Sequence, residues 1–392
     1  MLILFKFRIV LIISLIYICQ LSNYDNHNII VFADTLSQPS RINELLNKAN
    51  DGNAKAQFEL GNLYYTGDNV EINYKQALKW FTKSADQGYP RAQCYLGDMY
   101  YRGQGVELDY KKAFDLYTLA NKQNDPYAKV SLGTLYYDGK GVKQDYQKSF
   151  AFSKEASDQG DPIAMVSLAQ FYLSGIACKK DYAKALEILN KIVDKNSYAQ
   201  LVYGIMYLSG QGVPKNNQKA FELISKASNQ NLAEAQYELS YLYLKGAGTK
   251  QNVPKALELL KQSSNQCYAR AQRDLGALYL RGIFVKQDST LAIDLLVKAS
   301  NQNDEKAQAL LGKLYFNGDC VDQNYHKAFK FLSQASIKND TNAICLLAQM
   351  YLDGDGVTQN YAKAEELFSQ AAYKGNMEAQ IKLGQFYVLK KI

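Results

Sequence analysis

The sequence is poor in the residues and motifs that build active sites. It holds two histidines, His27 and His326, so no histidine-based metal cluster or catalytic triad can be assembled. It has no Gly-x-Ser-x-Gly elbow, no phosphate-binding loop and no dinucleotide fingerprint. Six cysteines are scattered without regular spacing, and no serine has a lysine three residues later. These absences predict a protein with no cofactor, no metal and no enzymatic activity.

The chain also lacks blocks of like charge. Its formal net charge of +7 is spread over the sequence, with no run of five or six like charges. No basic stripe with interleaved aromatic residues is present, so nucleic-acid binding is not predicted. The charges are instead typical of a solvated, mixed surface. The hydrophobic fraction of 47% is ample for a core.

Residues 1–33 are predicted to be a signal peptide or an N-terminal anchor with a leader, and residues 34–40 a linker. Lys6 and Arg8 precede a short apolar run, which is typical of a secretory signal. Val31 and Ala33 offer small side chains at positions −3 and −1 of a cleavage site before Asp34, and an uncleaved membrane anchor is the alternative. Both interpretations predict an exported protein, whether periplasmic, secreted or luminal, and the second leaves it membrane-anchored at the N-terminus.

What the sequence does contain is a repeat. A tyrosine followed three residues later by a glycine returns every 36 residues, with a single step of 35. A fixed period of this length is typical of small units stacked on copies of themselves. The nine pairs are Tyr64/Gly67, Tyr100/Gly103, Tyr136/Gly139, Tyr172/Gly175, Tyr207/Gly210, Tyr243/Gly246, Tyr279/Gly282, Tyr315/Gly318 and Tyr351/Gly354.

Each period is predicted to form two helices. In the second copy, apolar residues follow helical spacing over residues 92–101, and Gly103 stands where a helix C-terminus is expected. Asp109 then occupies an N-cap position before a second amphipathic helix over residues 110–122. An Asn or Asp holds this position in all nine copies, and a turn closes the unit.

Small residues at fixed positions predict close helix packing. The first helix opens with Ala in all ten occurrences, and Gly, Ala or Ser follows five residues later. A glycine inside a helix costs about 1 kcal/mol relative to alanine, so its recurrence predicts that a neighbouring helix lies against it. The recurring tyrosines are predicted to pack in the core.

The pattern Ala-x-x-x-Leu-Gly-x-x-Tyr-x-x-Gly-x-Gly-Val-x-x-Asp-x-x-x-Ala, present at residues 92–113, resembles the Sel1-like repeat, a relative of the tetratricopeptide repeat. The resemblance covers residues 41–392, with units beginning near residues 54, 90, 126, 162, 197, 233, 269, 305, 341 and 377. It implies an all-α fold: an α-solenoid, wound as a right-handed superhelix, of about nine complete helix-turn-helix repeats plus flanking half repeats. The first helices would line the concave side. Two features depart from the family pattern, since Trp80 is the one tryptophan and residues 176–178 replace the usual loop.

The resemblance also implies a function. It indicates a non-catalytic scaffold or adaptor that binds one or more partner proteins along the concave face of the first helices. A membrane-tethered assembly or quality-control adaptor is the alternative. A third hypothesis is a β-lactam-interacting, hydrolase-like protein, because some cysteine-rich relatives are linked to β-lactam hydrolysis. This chain lacks their regular pair of cysteines in each repeat.

Positions that vary between copies indicate where a partner binds. The third, sixth and tenth residues after the opening Ala form a stripe on the first helix. Apolar residues there on adjacent copies predict an exposed interaction patch, and burial by local curvature is the alternative. The candidate partner-binding residues are Tyr95, Arg102, Val202, Ile205, Tyr241, Lys245 and Arg281.

Half repeats flank the array. Residues 42–49 predict a lone helix of the second type, and the tenth copy supplies a helix of the first type. Leu383 and Tyr387 lie near the last residue, so self-association through the C-terminal end is a further hypothesis. The 35-residue step, placed in the turn at residues 195–197, predicts a local change of curvature.

Overall fold

The computed structural model describes residues 38–389, so the predicted signal segment and most of the predicted linker lie outside the described residues. Over that range the regular secondary structure consists of twenty helices, α1 to α20, and contains no strand. The helices belong to two compact units, one ending at Asn216 and one beginning at Asn217. Nowhere in residues 38–389 is there a helix with the length and apolarity needed to span a membrane.

The first unit contains α1 to α10. Even-numbered helices open a repeat and are called A helices here; odd-numbered helices are B helices. The first B helix, α1, begins at Gln38, inside the segment predicted as linker. The bounds are α1 Gln38–Asn50, α2 Ala54–Thr66, α3 Tyr74–Asp86, α4 Pro90–Arg102, α5 Tyr110–Asn121, α6 Pro126–Asp138, α7 Tyr146–Asp158, α8 Pro162–Ser174, α9 Tyr182–Asn190 and α10 Ser197–Ser209.

The second unit continues the same alternation. Within each unit, helices that follow one another in sequence pack together. The all-α solenoid prediction is therefore confirmed. The bounds are α11 Asn217–Asn229, α12 Ala233–Lys245, α13 Val253–Asn265, α14 Ala269–Arg281, α15 Ser289–Asn301, α16 Glu305–Asn317, α17 Tyr325–Ile337, α18 Thr341–Asp353, α19 Tyr361–Tyr373 and α20 Met377–Leu389.

Local chemistry fixes the loop between the two helices of a repeat. The glycine that follows each of the nine A helices from α2 to α18 adopts a left-handed conformation, with φ between 63° and 79°. Eight Asx N-caps accept the amide three residues later at 2.9–3.1 Å. The amide of the cap residue donates to the carbonyl of the recurring tyrosine at 2.8–3.1 Å. Both ends of the loop are thereby anchored.

Four of the glycines inside the A helices, Gly61, Gly97, Gly276 and Gly312, are sites of close approach, as predicted. A Cβ built on Gly97 would lie 2.7 Å from the Tyr117 ring. At Gly312 the same atom would lie 2.6 Å from Leu332. A side chain of the B helix therefore fills the space that a larger residue would need. The opening Ala is almost fully buried in every described repeat.

Several of the recurring tyrosines pack against B-helix aromatic rings, and Tyr136 lies between two of them. Tyr136 packs on Phe114 and Phe152, with ring centroids 5.7 and 5.9 Å apart. The Lys148 ammonium lies 5.0 Å from the Tyr136 ring centre, which adds a cation–π contact. This arrangement supports the predicted role of the tyrosines in packing.

The 35-residue step coincides with a shortened B helix. Helix α9 has 9 residues, whereas the B helix before it, α7, has 13. Turn residues follow it up to the start of α10. The deletion is therefore accommodated by early termination of α9 at Asn190, ahead of the turn where the sequence placed it.

Candidate protein-binding surface

Several predicted partner-binding residues are buried in the first unit. Val202 is 3% exposed and Ile205 4%, so the prediction that they form an exposed patch is wrong. Tyr95 is also buried, with the rings of Phe58 and Tyr127 at centroid distances of 5.2 and 6.1 Å. These three residues belong to the core. Arg102, the last residue of α4, is half-buried.

Tyr127 shows why the stripe of α4 is inaccessible. It is the residue before the opening Ala of α6, and its ring extends back over α4 and stacks on Tyr95. Its hydroxyl donates to Asp98 Oδ2 at 2.7 Å, and the Tyr117 hydroxyl donates to Asp98 Oδ1 at 2.5 Å. Asp98 is fully buried by these contacts. One large residue on the following A helix thus covers two stripe positions.

The same position holds large apolar side chains elsewhere in the first unit. Ile163 precedes the opening Ala of α8, and Tyr198 precedes that of α10; both are buried. The stripes of α6 and α8 are correspondingly inaccessible at their first two positions, which are Ser131, Thr134, Ser167 and Gln170. The face predicted to bind partners is therefore closed along α4, α6 and α8.

In the second unit, Tyr241 belongs to a polar network. Its hydroxyl donates to Asp274 Oδ2 at 2.6 Å, and the Tyr237 hydroxyl donates to the same oxygen at 2.8 Å. Arg273 bridges Asp274 and Asp304, with N–O distances of 2.7 and 3.0 Å. Because Asp304 is the N-cap residue of α16, the network links α12, α14 and α16, the A helices of three consecutive repeats.

The network sets the protonation of its members. Burial alone would raise the pKa of Asp274, but the adjacent Arg273 guanidinium and the two phenol hydrogen bonds lower it overall. Burial, together with the Asp274 carboxylate, raises the pKa of Tyr241 to about 12. The carboxylate therefore stays ionised and the phenol neutral around neutral pH. Tyr241 is half-buried, and its hydroxyl already serves the fold.

Glu234 occupies in α12 the position that Tyr127 occupies in α6. It is 2% exposed, and neither carboxyl oxygen has a hydrogen-bond partner. Burial raises the pKa of Glu234 to about 7, although the charge of Arg270 opposes the shift. A carboxyl group in this environment is protonated more readily than an exposed one.

Beyond α12 the stripe opens. The residues before the opening Ala of α16, α18 and α20 are Lys306, Asn342 and Glu378, and all three are exposed. Stripe positions of the preceding helices are accordingly accessible. Arg281 is exposed as predicted, and so is Lys245 at the end of α12. The accessible or half-buried stripe residues of α14, α16 and α18 are Asp274, Ala277, Arg281, Leu310, Lys313, Asn317, Leu346, Gln349 and Asp353.

The sequence contained a signal for this difference that the prediction missed. The stripe was compared between copies, whereas the residue that decides its accessibility lies on the next A helix. A large ring at Tyr127 and a short amide at Asn342 mark the closed and open cases. For this reason the prediction did not include Lys313 and Gln349 among the accessible stripe residues. No group of three or more potential ligand side chains able to hold a metal ion occurs among the described residues.

Comparison with known proteins identifies the repeat. The Sel1 repeat model matches residues 54–89, 90–125, 126–161, 162–197, 197–232, 233–266, 269–304, 305–340 and 341–376. No curated protein is significantly similar to the chain.

Solved structures of Sel1 repeat proteins are similar over most of their length. The protective antigen c5321 of uropathogenic Escherichia coli, described as displaying an SLR fold, is 28% identical, covering 89% of this chain and 83% of that one, with a TM-score of 0.46. A Sel1 repeat protein from Oxalobacter formigenes is 27% identical, covering 88% of this chain and 90% of that one, with a TM-score of 0.43.

Sel1 repeat proteins generally mediate protein–protein interactions and are generally non-catalytic scaffolds. The nine matches run from residue 54 to residue 376 and account for most of the sequence. The chain belongs to the Sel1 repeat family.

Proposed function

We propose that this protein is an exported, non-catalytic scaffold that binds partner proteins along the A-helix stripe of its second unit. The observation that supports this most directly is the accessibility of the stripe on α14, α16 and α18. Its side chains differ from helix to helix, and the exposed ones, such as Arg281 and Lys313, are not needed to fill the core. Half-buried Leu310 and Leu346 add apolar surface between them.

A stacked frame suits such a function because its binding residues are held in register before a partner arrives. The network around Arg273 ties together three repeats at the start of this surface. Less conformational entropy is lost on binding when side chains are already positioned. Affinity would therefore come from a pre-organised area, as expected for a protein with no catalytic centre.

Site-specific photo-crosslinking tests the location of the surface. A crosslinking amino acid at Lys313, on α16, should capture partner proteins in the producing cells. The matched control is Lys330, an exposed lysine on the B helix α17. Crosslinks from position 313 with few from position 330 would support the proposal. Equal capture at both positions would contradict it.

Once a partner is identified, charge reversal measures its dependence on the stripe. The double variant Arg281→Glu/Lys313→Glu should weaken binding by about tenfold or more, because hot-spot residues cost more than about 1 kcal/mol each. Lys330→Glu should leave affinity unchanged. Surface substitutions of this kind alter stability little, so circular dichroism should show equal folding for all variants.

Export rests on the N-terminal sequence. Mass spectrometry of the mature N-terminus distinguishes the cleaved, exported form from the membrane-tethered adaptor. A start near residue 34 would indicate cleavage, whereas an intact Met1 in the membrane fraction would favour the tethered form.

For the β-lactam alternative, purified protein should turn over nitrocefin no faster than a mock preparation.

Self-association is a second proposed interaction, and the exposed face of α20 favours it. In several repeats the A-helix glycine meets a B-helix side chain, but a Cβ on Gly384 would meet no atom within 4 Å. Ile381 and Val388 on the same helix are exposed. No described helix covers this glycine. Sedimentation velocity should show concentration-dependent association that Ile381→Asp abolishes, and a constant monomer mass would exclude the interaction.

A further inference from the structure

The loop between α14 and α15 has an unusual residue at its tip. Phe284 adopts φ +62°, a left-handed conformation that bulky side chains rarely adopt. Five other repeats have glycine at the equivalent position: Gly105, Gly141, Gly212, Gly248 and Gly356. All five glycines have positive φ as well, and so do Asn69, Ala177 and Cys320, which hold this position in the other three repeats; Phe284 is the one aromatic residue among the nine.

The glycines show why this position disfavours a side chain. A Cβ on Gly141 would lie 2.3 Å from the Tyr110 carbonyl oxygen, and one on Gly248 would lie 2.1 Å from that of Asn217. The loop normally passes close to the start of the preceding B helix. A phenylalanine here carries backbone strain and cannot approach in the same way.

Phe284 gains little burial in return for this strain. Its side chain is 55% exposed, and that of neighbouring Ile283 is 40% exposed. An exposed aromatic ring in a strained conformation contributes nothing evident to folding. Strained residues that persist without a structural return are typical of functional sites.

Cations surround the two apolar side chains. Arg281 and Lys286 are exposed on either side of them within the same loop. The preceding repeat places exposed Lys245 and Lys250 at the corresponding positions. The loops of two successive repeats therefore each carry two exposed cations at equivalent positions. Exposed Asp288 caps α15 two residues after Lys286, and exposed Asp319 and Asp322 lie on the following loop.

We propose that this tip is a membrane-surface contact, in which Phe284 and Ile283 enter the headgroup layer of an anionic bilayer. Arg281, Lys286, Lys245 and Lys250 then lie at the level of the lipid phosphates. Basic residues beside a bilayer and aromatic or aliphatic residues within its interface are the two components of such binding. Arg281 and Lys245 also belong to the protein-binding stripe, whereas Phe284, Ile283, Lys286 and Lys250 lie outside it, so the contact does not require a protein partner.

The small apolar area favours a lipid surface over a protein pocket. A standard protein interface buries about 800 Å² on each partner around an apolar core. Here the apolar area is limited to two neighbouring side chains, bounded by charges. A fluid headgroup layer accommodates an isolated ring, and its phosphates match the surrounding cations.

Local fluorescence tests the contact in the full chain. Phe284→Trp places an indole at the tip, while the native Trp80 is buried and reports the background. Vesicles of phosphatidylcholine with 30% phosphatidylserine should shift the emission of the variant to shorter wavelength, and brominated lipids should quench it. The wild-type emission should not respond. Pure phosphatidylcholine vesicles should have a much smaller effect on the variant.

Co-sedimentation with the same vesicles supplies the second measurement. Phe284→Gly should reduce the bound fraction about tenfold, and should raise the melting temperature slightly because glycine relieves the strain. The matched control is Leu108→Ala, an exposed loop residue flanked by Glu107 and Asp109, which should bind as the wild type does.

Two results would overturn the proposal. One is vesicle binding with no change in the emission of Phe284→Trp, which would place the contact in another part of the chain. The other is equal binding to neutral and anionic vesicles by wild type and Phe284→Gly. Loss of a protein partner in Phe284→Gly without any vesicle effect would assign the tip to a protein pocket instead.

Discussion

The A helices of the two units carry the same stripe, yet only one set presents it to solvent. In α4, α6 and α8 the first two stripe positions are buried, whereas in α14, α16 and α18 most stripe positions are half-buried or exposed. The backbone elements and caps are alike in both sets. The difference lies in the residue before the opening Ala of the next helix. In these helices a large apolar side chain there (Tyr127, Ile163 or Tyr198) closes the stripe, and an exposed polar or charged one (Lys306, Asn342 or Glu378) leaves it open.

The two cases show that a solenoid can vary its accessible surface without changing its repeat. Closing the stripe adds core, as the contacts of Tyr127 with Tyr95 and Asp98 show. Leaving it open gives up that burial and leaves surface for a partner. We therefore expect α4, α6 and α8 to contribute mainly stability, and α14, α16 and α18 to contribute mainly binding.

The largest expected effect separates the two cases at a single position. Tyr127→Ala removes a fully buried ring and should lower the free energy of unfolding by about 3–5 kcal/mol. Asn342→Ala, at the equivalent position of α18, should change it by no more than about 1 kcal/mol, because that side chain is exposed and loses a single hydrogen bond, from Asn376 Nδ2 at 2.9 Å. Urea denaturation followed by circular dichroism measures both. Similar losses in the two variants would contradict the comparison.

Glu234 holds the position of Tyr127 in α12, and its contribution to the free energy of unfolding should depend on pH. Its folded-state pKa is raised to about 7 from an ordinary value of 4.5. The folded state then binds more protons than the unfolded state, so its stabilising contribution is complete below pH 4.5 and is lost as the pH rises through 7.

Glu234→Gln keeps the shape and removes the titration. It should match the wild type in stability near pH 4.5 and exceed it at pH 8 by about 3 kcal/mol. Thermal unfolding across this pH range measures the difference, with the exposed residue Glu258 as the site of the control variant Glu258→Gln. A difference that does not depend on pH would contradict the raised pKa.

Asp98 and Asp274 should differ in the free energy of unfolding that is lost when each carboxylate is replaced. Asp98→Asn replaces one acceptor oxygen of a fully buried group that takes two phenol hydrogen bonds, and we expect a loss of about 2 kcal/mol. Asp274 has 21% of its side chain accessible to water, so Asp274→Asn should lose about 1 kcal/mol. Parallel urea titrations rank the two variants, and the reverse order would show that accessibility does not set the cost.

The smallest effect is the closing of an open stripe. Asn342→Tyr places before α18 the residue type that covers α4. It should stabilise the protein by about 0.5–1 kcal/mol through added apolar contact. It should also shield Lys313 on α16, which limited acetylation and mass spectrometry detect as slower modification. The exposed control Lys330 should react at the same rate in both proteins.

Much of the fold is readable in the sequence because its signals are local. The glycine after each A helix needs a left-handed backbone, and the Asx residue before each B helix caps the next few amides. Both signals act within one loop and do not depend on distant contacts. A small residue inside an A helix is also a local signal, because the B-helix side chain that packs against Gly61, Gly97 or Gly312 comes from the same repeat.

The candidate site was harder to predict because accessibility depends on two repeats at once. Val202 and Ile205 look like an interaction patch when their own helix is read alone, yet both are buried. Lys245 and Arg281 lie at helix ends, where packing is looser, and these two are exposed as expected. Phe284 shows the same limitation, since its backbone conformation and its exposure are visible only in three dimensions.

The sequence by itself determined the repeat, the helix pairs, their caps and the small residues at which they touch, because each of these follows from chemistry within about 36 neighbouring residues. The tertiary structure alone decided which A-helix faces remain open, how Asp98 and Asp274 are satisfied, and where an unpaired carboxyl such as Glu234 is buried. Those outcomes depend on side chains from separate repeats meeting in space, and helical periodicity carries no information about that meeting.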